Sequence, residues 1–233
     1  RVDIDRNGDG FTDSGTFTCV SGGDRGFLRV HPANPRRFAF ADGSAFYAIG
    51  LCQGWGTAGG DTVPDLAMDS QGGISCDRYF STFNGAGFNV FRLSLGNGVP
   101  VVEASDGIQP TGNRYRVHES QVLDNVCRVL KRNNMRVVFC MFNNQRTTAY
   151  ADSTSNPALM DAVKRYVKYY VDRWGAFVDI WETVNESYAS FGQYSFRGWD
   201  LLDSIIVPYI GTIDPYDHLI GQAHDEPNIV FDA

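Results

Sequence analysis

Short apolar runs of β character alternate with amphipathic helical stretches along most of this chain, and that alternation restricts the fold more than any other feature. Residues 45–51, 89–95, 135–142, 177–181 and 218–222 read as strands. Between them, residues 77–84, 119–133, 157–174 and 199–210 read as helices. The helical spacing is explicit in Val122, Leu123, Val126 and Leu130, and again in Leu159, Val163, Tyr166, Val167 and Tyr170, behind a Pro157 that opens its helix. Strands that alternate with helices make βαβ units and a parallel sheet. A doubly wound sheet would carry a G-x-G-x-x-G phosphate loop after an early strand, and residues 50–60 lack that spacing. The expected class is therefore α/β of the (β/α)8 TIM-barrel type. A closed barrel needs eight strand–helix steps and about 250 residues. The chain has 233 residues and shows five steps at most, so an incomplete barrel of strands one to five is expected.

The first 26 residues differ from the rest. Asp3, Asp5, Asn7, Asp9 and Asp13 crowd around Gly8 and Gly10, followed by a strand-like run at 16–20 and a Ser-Gly-Gly turn. This part is expected to be a β appendage, or the tail of an upstream β-domain, with the barrel portion spanning 27–233. Asp5, Asn7, Asp9 and Asp13 resemble a D-x-[DN]-x-D-G calcium loop, which places oxygen ligands at alternate positions. Thr16 stands where such a loop usually has Glu, and no helices flank it, so a simple acidic turn is the competing reading. Next come short β runs at 27–30 and 37–40 and the turn Ala41-Asp42-Gly43-Ser44. A hairpin of this kind could plug the bottom of a barrel.

Composition narrows the partners. The net charge is −7 with no Lys/Arg block, which removes the electrostatic footprint of nucleic-acid binding. An acidic surface also disfavours anionic substrates and membrane surfaces, and a neutral substrate fits better. No apolar run approaches the roughly 20 residues of a membrane span, and the stretch 201–210 is broken by Asp203 and Pro208. The sequence begins at Arg1 and shows no signal peptide, as a processed or trimmed product would. None of the five cysteines forms a C-x-x-C pair, which speaks against a zinc ribbon or thioredoxin-type site. Cys127 and Cys140 read as core residues, and a Cys52–Cys76 disulfide is left open.

The segment that carries chemistry is Val178-Asp179-Ile180-Trp181-Glu182-Thr183-Val184-Asn185-Glu186, an apolar strand that runs directly into polar residues. In a parallel barrel the C-terminal strand ends form the active site. A Glu there, preceded by Asn, is placed to move protons beside a sugar. Cleaving a glycosidic bond through an oxocarbenium-like transition state takes two carboxyl groups held in different protonation states.

That segment resembles the W-E-x-x-N-E signature that closes the fourth strand in clan A glycoside hydrolases, the cellulase- and mannanase-like barrels. The resemblance implies that Glu186 is the general acid/base and that Asn185 binds the sugar 2-hydroxyl. Gly87-Phe88-Asn89-Val90-Phe91-Arg92-Leu93 is similar to the clan's second strand, which implies that Arg92 lies near the nucleophile. Residues 26–50 resemble the lead-in to the first strand, 51–55 its loop with Trp55 as the aromatic on substrate, and 214–220 the approach to the fifth strand. Asn143, Asn97 and His224 follow strands and are further candidates to line the cleft. The resemblance spans residues 26–224 and implies a secreted, extracellular retaining hydrolase of a neutral β-linked polysaccharide or oligosaccharide, with no cofactor required. The clan's nucleophile is a Glu at the end of the seventh strand. Asp225 and Glu226 follow the fifth strand and are poor substitutes, so the nucleophile is expected outside this chain.

Plainer readings stand beside these. Glu186 could be a loop carboxylate, Arg92 could pair with a core acid, Trp55 could pack its own loop, and Asn97 and Asn143 could form turns. Glu182 reads as structural. Asn185-Glu186-Ser187 also matches a glycosylation sequon, which a barrel mouth would oppose. At the level of the whole chain, the rival reading is a non-catalytic carbohydrate-binding or structural extracellular protein derived from such a barrel. A five-stranded sheet leaves an edge that another chain, supplying the remaining strands, could cover.

Overall fold

The computed structural model describes residues 2–6, 9–13, 16, 18, 22–53, 76–94, 103–105, 110–142, 156–185 and 196–222. A hairpin comes first: β1 (Val2–Arg6) pairs antiparallel with β2 (Asp9–Asp13). A three-stranded antiparallel sheet follows, made of β3 (Leu28–His31), β4 (Asn34–Phe40) and β5 (Ala45–Phe46). The barrel portion then runs β6 (Gly50–Gln53), α1 (Cys76–Gly85), β7 (Val90–Ser94), a small hairpin of β8 (Glu103–Ser105) and β9 (Pro110–Tyr115), α2 (Val117–Arg132), β10 (Arg136–Phe142), α3 (Pro157–Trp174), β11 (Ile180–Val184), α4 (Phe196–Ile213) and β12 (Leu219–Gly221).

The main sheet has the order β6-β7-β10-β11-β12, and every pairing is parallel. Each successive strand joins the same growing edge. A doubly wound sheet reverses direction at a switch point; this one does not, which is the winding of a barrel. Period-two alternation then sorts the side chains. Phe91, Leu93, Val137, Phe139 and Trp181 face the helices and are fully buried. There Phe139 meets Tyr170, Trp174 and Trp181 at ring-centroid distances of 5.4, 5.7 and 5.7 Å. The opposite, inner face carries the row Cys52, Arg92, Val138, Ile180 and Leu219, and one step further Cys140 and Glu182.

Local chemistry fixes the helix ends. Asn156 accepts from the Leu159 amide at 3.3 Å ahead of Pro157, so α3 starts with a side-chain cap and a proline in its first turn. The boundaries of α3 are those the sequence predicts. Two expectations change. The strand expected at 45–51 divides between β5 and β6, because Ala45 and Phe46 pair with β4 while Gly50 onward pairs with β7. The strand expected at 177–181 moves to Ile180–Val184, since the amides of Phe177 and Val178 bond back to the Trp174 carbonyl and close the helix. The β1–β2 hairpin falls within the β appendage expected over residues 1–26, whereas the β8–β9 hairpin is not anticipated by the sequence reading. The strand expected at 16–20 lies, apart from Thr16 and Thr18, outside the described residues.

The β3–β5 sheet does plug the barrel bottom. Leu28, Phe40 and Phe46 pack with Phe38 against Val90 and Leu219, the first residues of β7 and β12. Buried Asp179 ties the plug down, accepting from the Leu28 amide at 3.2 Å and the Val137 amide at 3.1 Å. Burial raises the pKa of this carboxyl, against the Arg136 guanidinium that stands 3.5 Å away. Gly26 has φ +78, and a Cβ there would come within 2.7 Å of the Ala41 Cβ, so the chain can enter the plug at this point only through glycine. Cys127 and Cys140 are buried core residues as expected, and Cys52 carries a free thiol, so the Cys52–Cys76 disulfide is not made.

Candidate active site

The inner face becomes polar from the middle of β7 and β11 toward their C-terminal ends. Arg92 of β7 and Glu182 of β11 sit two strands apart, with β10 between them. The guanidinium forks onto the carboxylate: Nε donates to Glu182 Oε2 at 2.5 Å and Nη2 donates to Glu182 Oε1. Nη2 also donates to Asn185 Oδ1 at 2.7 Å, and Nη1 donates to Cys52 Sγ at 3.2 Å across the first strand. Arginine has five N–H donors. Four are used, leaving one on Nη1 without a partner among the described residues.

The electrostatics follow from the fork. Burial works against the guanidinium charge, but the Glu182 hydrogen bonds and carboxylate outweigh it and hold Arg92 more firmly protonated than in water. Glu182 is 6% exposed and Arg92 21% at the side chain, so the pair is shielded from solvent yet Arg92 still reaches the open face. Asn185 is buried as well, and its amide nitrogen donates to the Phe142 carbonyl at 2.9 Å, which anchors the strand end to β10.

Of the residues the sequence singled out, Arg92 and Asn185 are brought into contact. Arg92 does pair with a buried acid, and that acid is Glu182, so the plainer reading and the site reading meet in one arrangement. A glycan on Asn185 does not fit a buried side chain locked to a guanidinium. Glu186, Trp55, Asn143 and His224 lie outside the described residues, as do Asn97 and Asn7. Asp5, Asp9 and Asp13 are described in backbone only, as rungs of the β1–β2 ladder in which Asp5 faces Gly10 and Asp9 faces Arg6. No group of three metal-ligating side chains occurs among the described residues. Sequence reasoning missed Cys52 as a partner of Arg92. No local signal marks it, since the register of the parallel strands is what sets Cys52 directly beside Arg92. A cavity of about 590 Å³ lies at the other end of the sheet, between the plug and Lys131, Arg136 and Asp179. It is remote from the strand ends where Arg92 and Asn185 meet.

The sequence matches no protein-family model and no curated protein. Solved structures do match. An endo-1,4-beta-mannanase from Rhizomucor miehei is similar at a TM-score of 0.57 and 18% identity, over 79% of this chain and 57% of that one. A glycoside hydrolase family 5 mannosidase from the same organism gives 0.59 and 15%, over 88% and 57%. A family 5 glycoside hydrolase from Bacteroides vulgatus gives 0.56 and 18%, over 86% and 40%. The fold is that of the clan A glycoside hydrolases. This chain spans between 40% and 57% of the length of those three structures, and its described residues carry five parallel strands of the (β/α)8 barrel. At such low identity the likeness speaks for the fold alone. No helix among the described residues is long and apolar enough to cross a membrane.

Proposed function

We propose that this chain carries the acid/base half of a retaining glycoside hydrolase, with Glu186 as general acid/base. The observation that supports it is the Glu182–Arg92–Asn185 contact at the C-terminal strand ends, immediately before Glu186 in the chain. In this reading Asn185 binds a sugar hydroxyl and Arg92 steadies the negative charge of the partner carboxylate. Glu186 donates its proton to the glycosidic oxygen as that bond breaks. The second carboxylate, about 5–5.5 Å away, attacks the anomeric carbon and forms a glycosyl-enzyme. Ionised Glu186 then takes a proton from the water that releases the sugar. The second carboxylate comes from the strands that complete the barrel, in further polypeptide or another chain, docked along β6 and β12. Among the described residues each of these two strands is paired on one side only.

The substrate class is a neutral β-linked polysaccharide or its oligosaccharides, in keeping with the acidic chain. β-1,4-Mannan is the first polymer to try, given the enzymes whose fold this is. A polymer of that size does not cross membranes, so the protein would act outside the cell. The test is Glu186→Gln in the complete barrel, assayed on β-1,4-mannan and on 4-nitrophenyl β-mannoside. Hydrolysis should be abolished; unchanged hydrolysis would overturn the assignment. Binding of mannan without hydrolysis by the unmutated protein would favour a carbohydrate-binding role instead.

A further inference from the structure

Glu182 reads from the sequence as a structural carboxylate. Its surroundings give it a more specific task. The carboxylate grips Arg92 at two points, and a two-point fork fixes the plane of a guanidinium where a single contact would leave it free to swivel. The same Nη2 that holds Glu182 also holds Asn185 Oδ1 at 2.7 Å. Arginine offers only donors, so the Asn185 atom that faces it has to be the oxygen. The Nδ2 donors, in the same amide plane, are thereby turned away from the guanidinium.

We propose that Glu182 is a positioning residue of the site: its fork on Arg92 sets the orientation of the Asn185 amide and neutralises the guanidinium charge at the strand end that leads in sequence to Glu186. The proposal rests on the glycosidase reading of Asn185 and Glu186. It adds that the orientation of the Asn185 amide is set by a carboxylate three residues upstream, in β11, acting through a guanidinium two strands away. The titratable groups around the guanidinium among the described residues are Glu182 from β11, Cys52 from β6 and Cys140 from β10. Glu182 is the carboxylate among them. Without it, Arg92 would present an uncompensated positive charge at the strand end and favour the ionised form of nearby carboxyls.

The test compares Glu182→Gln and Glu182→Asp with the unmutated protein, each in the complete barrel, using β-1,4-linked manno- and gluco-oligosaccharides across pH. Glu182→Gln should lower kcat/KM by about a hundredfold, the scale of a misplaced binding group. It should also move the basic limb of the pH profile down by about one pH unit, because the catalytic acid loses its proton more readily. Glu182→Asp keeps the charge, so its basic limb should stay in place while kcat/KM still falls. A Glu182→Gln protein that melts at lower temperature, yet below its melting point keeps both kcat/KM and pH limbs, has lost only a stabilising contact and overturns the proposal. If the unmutated protein hydrolyses neither probe, the glycosidase reading has failed and NMR decides the local claim. The Arg92 Nε–H and the Asn185 side-chain amide should lose their protection from exchange in Glu182→Gln; unchanged resonances overturn it. Should Glu182→Gln not fold, the Asn185 amide resonances of Glu182→Asp decide: moved, they support the proposal; unmoved, they overturn it.

Discussion

At the start of β12 the imidazole of His218 lies against Phe27, ring centroids 4.5 Å apart at 81°, with no exposed side-chain surface. Nδ1 is 2.8 Å from Asp214 Oδ2, and Nε2 is buried without a hydrogen-bond partner among the described residues. The tautomer follows: Nδ1–H donates to the carboxylate, and Nε2 keeps a bare lone pair, which costs less there than an unpaired N–H. Burial pushes the His218 pKa below its ordinary 6.5, although the Asp214 carboxylate pulls the other way. The unfolded chain therefore binds a proton at a pH where the folded one does not. Stability from this group is complete above about pH 6.5 and is lost as pH falls toward the depressed folded value. His218→Asn keeps a donor for Asp214 and cannot titrate. Melting temperature should fall more steeply between about pH 7 and pH 5 in the parent than in the variant. Parallel curves would show that His218 is not the proton acceptor. At this same scale, the resemblance of two strand segments to clan A motifs nominated Arg92, Asn185 and Glu186 together, and Arg92 and Asn185 do meet. The Glu182 fork was not legible in the sequence, because pairing across two strands depends on register.

Among the elements, α2 and α3 are joined through one carboxylate. Asp124 accepts from Arg173 Nε at 2.9 Å, Arg173 Nη2 at 2.8 Å and the indole nitrogen of fully buried Trp174 at 3.0 Å. Asp124→Ala would leave that indole N–H unsatisfied in the core, which costs about 1–3 kcal/mol. Asp172 in the same helix pairs with Lys168 at 2.7 Å, but both are about half exposed, and such a pair is worth ~0.5 kcal/mol. Urea unfolding of the two alanine variants should separate them clearly; equal losses would mean that the Asp124 link carries no special weight. The helix itself was readable to the residue, because a cap, a proline and a 3.6-residue apolar period agree on its limits. The strands were less so. Phe177 and Val178 are apolar enough for a strand, yet their amides finish the helix, and a seven-residue apolar run at 45–51 serves two different sheets.

Over the whole molecule, the hydrophobic plug and the Arg92–Asn185 candidate site are separated along the parallel sheet. The plug sits at the N-terminal strand ends, where Phe40 is buried against Phe46 at 5.1 Å and under the Arg136 guanidinium at 4.7 Å. Phe40→Ala should destabilise by about 3–5 kcal/mol, the usual cost of a deleted core aromatic. It should leave the Arg92 and Asn185 side-chain resonances in place, since these lie at the C-terminal ends. Denaturant unfolding and NMR of one variant check both halves of that expectation; a loss below about 1 kcal/mol would make the plug dispensable.

The sequence by itself determined the α/β class and the alternation of its elements, and it suggested a hairpin at the barrel bottom, because hydrophobic period and turn chemistry are local. Arg92, Asn185 and Glu186 were nominated by resemblance to the motifs of clan A glycoside hydrolases. Only the tertiary structure decided that the strands add in one direction without reversal, since winding is a relation between strands that no local period encodes. It also decided that Arg92 spends most of its donors on Glu182, Asn185 and Cys52. Those contacts join residues up to 93 positions apart, and only the register of parallel strands brings them together.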